Sequence, residues 1–375
     1  MPPVGIPESQ KTVKVYIIDT GARIYGRFSF FSEPALLDHL QDEGYSVPAY
    51  SFLVEHEESG RRVLFDLGIR KNFEEYPPAV KGYHSDVFRF ETGEEVFDML
   101  RNGGVDPATI EAIIWSHHHV DHVGNPSLFP YTTDLIVGPG FKEMILPGYP
   151  KNPKSQVLES DYEGRNLREI NFDDESKGLT IGGFRAVDFF NDGSFYLLES
   201  PGHTIDHIAG LARTHTSPSR FIFMGGDIAH HASQWQPSEL LPLPKELEPS
   251  ALGAHSELNN RFNVCPGELF IEHAHPQRSG GVPFLKTKAG HPYDREMAER
   301  SVRPMERFDA DDNVFIITAH DAKFSPGLDF WPKGANGWFK AGWKESSTWE
   351  FLKDFSSVVV DSVRVDPVSD RNRVY

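Results

Sequence analysis

Four histidines and an aspartate fall within six residues of the stretch Ser116-His117-His118-His119-Val120-Asp121-His122. Imidazole and carboxylate are the donors that borderline divalent metals such as zinc prefer. The pattern is His-x-His-x-Asp-His, using His117, His119, Asp121 and His122. His118, on a tight loop, is expected to point away from its neighbours and not to ligate. A purification tag would be terminal and would lack the aspartate. Three further places present the same residue types after apolar runs: Ser200-Pro201-Gly202-His203-Thr204, Gly225-Gly226-Asp227 and Ala319-His320-Asp321.

These residues need strands behind them. Ile110 to Trp115 is a β-branched run that reads as a buried strand ending at the histidine cluster. Phe184 to Asp188 and Phe195 to Leu198 alternate like strands and lead to His203. Phe221 to Met224 leads to Asp227, and Val314 to Thr318 leads to His320. Four strand ends thus deliver histidine or aspartate in order along the chain, which makes coincidence a poor explanation. Lys11 to Asp19 reads as the first strand. Ala49 to His56 and Arg61 to Phe65 read as a hairpin that ends in Asp66-Leu67-Gly68. Thr92-Gly93-Glu94-Glu95 reads as a capping box before a helical stripe at Val96, Phe97 and Leu100. Met1 to Gln10 reads as a loose arm, and Gly138 to Asp174 as long surface loops. The aromatic loop Thr20 to Pro34, with Tyr25, Phe28, Phe30 and Phe31, either plugs the core or contacts a ligand.

The chain has 375 residues, 39% hydrophobic and 25% charged, which describes a globular protein with a sizeable core. A net charge of −18 repels phosphate backbones and anionic membrane surfaces, so neither nucleic acid nor membrane is an expected partner. Cys265 is the single cysteine, which excludes an intrachain disulfide framework, and with no motif around it it reads as inert. Met1 to Gln10 lacks the basic segment and apolar run of a signal peptide, so the expected location is cytoplasmic.

The quoted motifs resemble the signature of the metallo-β-lactamase fold hydrolases, and the full set resembles their branch of acyl-homoserine lactonases and small lactone or lactam hydrolases. The resemblance runs from Val13 to about Asp321. It implies an α/β protein, a four-layer αββα sandwich; the long interval between Asp227 and His320, which compact family members bridge with fewer residues, reads as an insertion before the last metal histidine, and the C-terminal tail is Trp-rich. The expected layout is a hydrolase domain over 11–330, with the insertion at about 232–310 forming helices and a lid. An extension over 331–375 packs on the same domain through Trp331, Trp338, Trp343 and Trp349. By resemblance, His117, His119 and His203 hold one divalent ion, Asp121, His122 and His320 hold a second, and Asp227 bridges the two. Zinc is the first expectation for both ions. Asp66 is expected to brace the metal loops, and His207 to be structural.

The resemblance further implies hydroxide attack, assisted by both metals, on the carbonyl of a cyclic ester or amide. Asp121, Asp227 and His230 form the expected catalytic set. The lactonases of this fold carry a tyrosine where this chain has His230, with His231 beside it, so His230 becomes the candidate proton donor. The aromatic loop together with Trp235 would suit an apolar or aryl-bearing ring. The substrate is a small molecule, and the oligomeric state, monomer or homodimer, is open. The alternative is a thioesterase of the same fold acting on glutathione or carrier thioesters. A phosphodiesterase or nuclease is disfavoured by charge. An iron-dependent persulfide dioxygenase usually retains fewer carboxylates, and a non-catalytic binding protein would have lost ligands.

Overall fold

The computed structural model describes residues 4–42, 44–82, 88–247, 265–290, 292–324 and 327–365. Two six-stranded sheets form its centre. In the first, β1 (Val13–Asp19), β2 (Tyr50–His56) and β3 (Arg62–Phe65) run antiparallel, and β4 (Ile110–Ile114), β5 (Asp134–Val137) and β6 (Leu167–Glu169) continue it in parallel. The second is a meander of β7 (Thr180–Ile181), β8 (Phe184–Asp188), β9 (Phe195–Glu199), β10 (Ile208–Thr216) and β11 (Ser219–Met224). It closes with β12 (Val314–Ile317), parallel to β11.

Side chains alternate faces along a strand, and the core follows that period. Ile17, Phe52, Val54, Val63 and Phe65 meet Leu197, Ile208, Ala212, Ile222 and Met224 between the sheets. Ile18, Leu53, Leu64 and Ile113 face outward to the helical layer that holds Val96, Leu100 and Phe141. Leu198, Leu211, Phe223 and Ile316 face the other outer layer, with Phe270 and Phe284 of the insertion and Phe351 and Phe355 of the tail. The strands are therefore apolar on both faces, as the middle layers of an αββα stack require.

Four local expectations are corrected. Thr92 to Glu95 forms no capping box: the helix Val96–Asn102 begins at Glu95, whose side chain makes no cap bond. That stretch is committed elsewhere, since Glu94 N–H donates to Thr20 O at 2.8 Å and Glu95 Oε1 accepts from Lys71 N–H at 2.9 Å. The N-terminal arm is not loose from Val4 onward. Val4 is buried and its carbonyl accepts from Gly182 N–H, while Arg213 donates to Pro7 O. The stretch 138–174 is not surface loop throughout: it contains β6 and three short helices and buries Phe141, Val157, Ile170 and Phe172. Two of its charges, Asp161 and Arg165, are buried, and Asp161 meets the buried Arg70 at 2.6 Å. Finally, the loop after β1 contains a strand, Arg23–Gly26, paired with Phe88–Glu91.

The tail lies against the sheets. Trp338 stacks on Phe315 with ring centroids 5.5 Å apart, Trp343 lies 6.1 Å from the same ring, and Trp331 Nε1 donates to Met99 O. The side chain of Cys265, residues 248–264 of the insertion and residues 366–375 lie outside the described residues. Among the described residues no helix is long and apolar enough to cross a membrane.

Candidate metal centre

Each motif sits where a strand stops. The loop after β4 carries His117, His119, Asp121 and His122, and the loops after β9, β11 and β12 carry His203, Asp227 and His320. The loops are tied to one another: Ile208 N–H donates to Ser116 O at 2.8 Å across the two sheets, and Leu67 N–H to His122 O at 2.8 Å between neighbouring strand ends of the first. Two glycines permit the close approach. A Cβ on Gly202 would lie 2.1 Å from Ala298 N, so the insertion helix Arg295–Val302 rests directly on the turn that presents His203. A Cβ on Gly226 would lie 2.9 Å from both His207 Nε2 and Ser116 Cβ.

All seven ligand-type side chains named from the sequence come together, in two groups that share Asp227. His117, His119, His203 and Asp227 form one, and Asp121, His122, Asp227 and His320 the other, with one donor atom from each member lying within 4.8 Å of the rest. In the first, His203 Nε2 faces His119 Nδ1 at 2.9 Å, and Asp227 Oδ2 lies 3.5 Å from His203 Nε2 and 3.8 Å from His117 Nε2. In the second, Asp227 Oδ1 lies 3.1 Å from both His122 Nε2 and His320 Nε2, and Asp121 Oδ2 is 3.2 Å from His320 Nε2.

The donor set fits divalent cations. His117 Nε2, His122 Nε2 and Asp227 Oδ1 are buried yet have no hydrogen-bond partner among the described residues, and an orphaned buried polar atom is costly unless something meets it. Burial pushes the His117 and His203 imidazoles well below their usual range, and His119 to about 3, so these rings are neutral and keep lone pairs to donate. In the other group burial also opposes charge, but the Asp227 and Asp121 carboxylates overcome it and raise His320 to about 10. A negative potential that holds protons this firmly is one in which a dication competes with them.

Neighbouring side chains hold the donors in place. Asp66 Oδ2 accepts from His122 Nδ1 at 2.8 Å and from Ser116 Oγ, and Asp66 Oδ1 accepts from Ser116 N–H at 2.6 Å. His320 Nδ1 donates to Pro48 O at 2.7 Å. His207 accepts from Asp227 N–H at 3.0 Å and contacts Ser200 Oγ, which places it outside both groups. His118 is also outside them.

His230 Nε2 lies 3.3 Å from Asp227 Oδ2, and its ring stacks on Phe31 at 4.3 Å and 18°. His231 is turned away, bonded to Ser233 Oγ and to Asp354 Oδ2 of the tail.

A cavity of about 710 Å³ opens over the two groups. Phe28, Phe30 and Phe31 line it, so the aromatic loop meets the cavity, but Tyr25 and Trp235 do not. Tyr25 instead stacks under Arg89 and bonds Glu91, because it sits on the strand pair. Trp235 is 1% exposed and belongs to the core beneath the insertion. Sequence reasoning missed Phe88, Phe90, Met144, Gln156 and Tyr293, which add to the lining from segments that carry no motif. Phe30, Met144 and Tyr293 are among the few exposed large apolar side chains and make its mouth apolar. None of the described lining residues is Lys or Arg.

A sandwich of two sheets with a shared histidine and aspartate centre at its strand ends defines a class. The chain matches the family model described as the metallo-beta-lactamase superfamily over residues 44–213, and it belongs to that superfamily. It is 42% identical over 363 residues to "Gamma-lactamase FDB1" of Fusarium pseudograminearum (strain CS3096), covering 95% of this chain and 85% of that protein. It is 40% identical over 358 residues to "Metallo-hydrolase mfmC" of Annulohypoxylon moriforme, covering 94% of this chain and 90% of that one. Among solved structures, a point mutant of B. thuringiensis AiiA with N-decanoyl-L-homoserine at its active site superposes with a TM-score of 0.54. The match covers 88% of this chain and all of that chain at 16% identity, a likeness of fold.

Proposed function

We propose that this chain is a metal-dependent hydrolase that opens a cyclic amide or cyclic ester of a small, uncharged molecule. Two divalent ions, zinc first, would be held by His117, His119 and His203 on one side and by Asp121, His122 and His320 on the other, with Asp227 between them. Bound there, such ions supply Lewis acidity, lowering the pKa of water and polarising a carbonyl. The observation that carries the reading is Asp227: its two oxygens face both groups at the floor of an apolar cavity. The relatives named gamma-lactamase and metallo-hydrolase support it.

The chain's own residues then divide the tasks. Asp227 Oδ2, beside His230 Nε2, is placed to pass a proton toward the leaving nitrogen or oxygen, and the stack on Phe31 fixes the plane of the His230 ring. Phe28, Phe30 and Phe88 exclude water and take the apolar body of the substrate. The absence of lysine and arginine from the described lining disfavours a phosphate-bearing or glutathione thioester.

The test is a paired panel: an aryl-fused five-membered lactam or carbamate against an N-acyl homoserine lactone, with zinc-loaded protein, chelator-treated protein and an Asp121→Ala variant. Ring opening that chelation and the variant both abolish supports the reading. Rates on both rings no better than the variant's would sink it and bring thioesters forward.

A further inference from the structure

His118 stands between two metal-facing histidines and belongs to neither group. Its partner is Asp206, which is fully buried: His118 Nδ1 and Asp206 Oδ1 lie 2.8 Å apart, 88 residues distant in sequence. Asp206 is itself fixed in place, since its carbonyl sits where a Cβ on residue 138 would be 1.9 Å away, a space that only Gly138 leaves. An ionised carboxylate can only accept, so Nδ1 of a neutral ring carries the hydrogen and the lone pair lies on Nε2. His118 lines the cavity and retains 8% exposure, so its ring is reachable from the space where a substrate would lie. A buried aspartate that orients an imidazole fixes both its tautomer and its direction.

We infer that His118 is a substrate-binding residue whose Nε2 accepts a hydrogen bond from an N–H or O–H group next to the scissile ring, with Asp206 as the positioning residue behind it. The inference rests on the cyclic-substrate reading and narrows it. The favoured substrates carry a donor, either the N–H of a lactam or a hydroxyl on a fused aryl ring, in place of the bare ring of a simple lactone. Apart from His118 itself, the metal-facing residues and His230, the described lining is largely apolar, with Gln156, Thr204, Tyr45 and Tyr293 as its other polar side chains. A buried acceptor rejects an analogue that lacks the donor, because the acceptor is then left unpaired.

The experiment measures binding by calorimetry at pH 8 to zinc-loaded protein, so it does not depend on turnover. Two matched pairs are used: an aryl-fused five-membered lactam with its N-methyl derivative, and an aryl-fused lactone bearing a ring hydroxyl with its methyl ether. In the wild type one donor compound binds about three- to tenfold tighter than its methylated partner, and the pair that shows this identifies the source of the donor. His118→Phe, which keeps a flat ring without an acceptor, and Asp206→Ala, which leaves the imidazole undirected, both bring that ratio to about one. His118→Gln, which restores an acceptor, recovers part of it. Metal content and thermal midpoint are followed for each variant, and Asp206→Ala carries the test if His118→Phe does not fold. A ratio that His118→Phe or, failing that, Asp206→Ala leaves unchanged overturns the inference, as do wild-type ratios of about one for both pairs and failure of both donor compounds to bind. A ratio that moves as expected while neither ring is opened would retain His118 as a donor-binding residue and overturn the hydrolase reading instead.

Discussion

The ring of Phe31 lies 4.3 Å from that of His230 at an interplanar angle of 18°, and the same imidazole lies 5.8 Å from the ring of His320 at 20°. The aromatic loop therefore does more than line the cavity. Phe31 O accepts from Lys288 N–H, and Ser32–Glu33 pairs with Lys286–Thr287, so the insertion holds this loop against the centre. Offset stacked rings contribute about 0.5–1.5 kcal/mol beyond area burial. We expect Phe31→Leu to lower kcat about three- to tenfold with metal content unchanged, and Phe31→Tyr to retain most of it. Metal analysis beside steady-state kinetics on the best ring substrate checks this. Equal kcat in the Leu variant would remove Phe31 from the positioning of His230.

Asp66 occupies the left-handed region at φ 61°, which asparagine also tolerates. Its carboxylate accepts from Ser116 N–H, Ser116 Oγ and His122 Nδ1. Asp66→Asn keeps the backbone and one acceptor but replaces an oxygen that His122 needs with an N–H₂. The expected result is about 10- to 100-fold weaker zinc binding, read by competition with a chromophoric chelator, with the secondary structure unchanged by circular dichroism. Wild-type affinity in this variant would mean that Asp66 shapes the turn only.

The histidine cluster, the Pro-Gly-His turn, Asp227 and His320 were legible because each is local: a strand run, a turn and a donor within a few residues. The two sheets were legible for the same reason, since buried strands announce themselves as short apolar runs. What could not be read was what distant segments do to one another. His118 looks idle until Asp206 arrives from the loop before β10. Trp235 and Tyr25 look like pocket aromatics, but the insertion core takes one and the Arg23–Gly26 strand the other. Thr92 to Glu95 has the composition of a capping box, yet its bonds go to Thr20 and Lys71. Charges between Gly138 and Asp174 suggested surface, whereas Asp161 serves a buried arginine.

That arginine supports the metal loop from behind. Arg70 Nη2 meets Asp161 Oδ1 at 2.6 Å, Arg70 Nε donates to Gly124 O, and Arg70 N–H donates to Tyr76 OH, which in turn donates to Val120 O. Breaking a buried pair from one side leaves a charge without compensation and costs about 3–5 kcal/mol. Asp161→Ala should lose stability of that order in urea unfolding, and Arg70→Met combined with Asp161→Leu should lose less. An Asp161→Ala cost below about 1 kcal/mol would show that water reaches the pair.

His275, in the insertion, supplies a dependence on pH. Its Nδ1 accepts from Gln277 N–H at 3.0 Å and its Nε2 donates to Val282 O at 2.8 Å, so both nitrogens are engaged in the neutral form. Burial pushes its pKa below the usual value. An unfolded chain takes up that proton near pH 6.5, whereas the folded chain resists until lower pH. Between those two values the unfolded state binds more protons, so stability rises with pH there and falls as the solution is acidified. The contribution is complete above about pH 6.5 and drains away as the pH drops toward the folded value. Urea midpoints of the wild type should therefore decline between pH 7.5 and 5.5 more steeply than those of His275→Gln, whose side chain does not titrate. The comparison cancels the other ionisable groups, which both proteins share. Parallel declines would mean that His275 is protonated in the folded chain as readily as in the unfolded one.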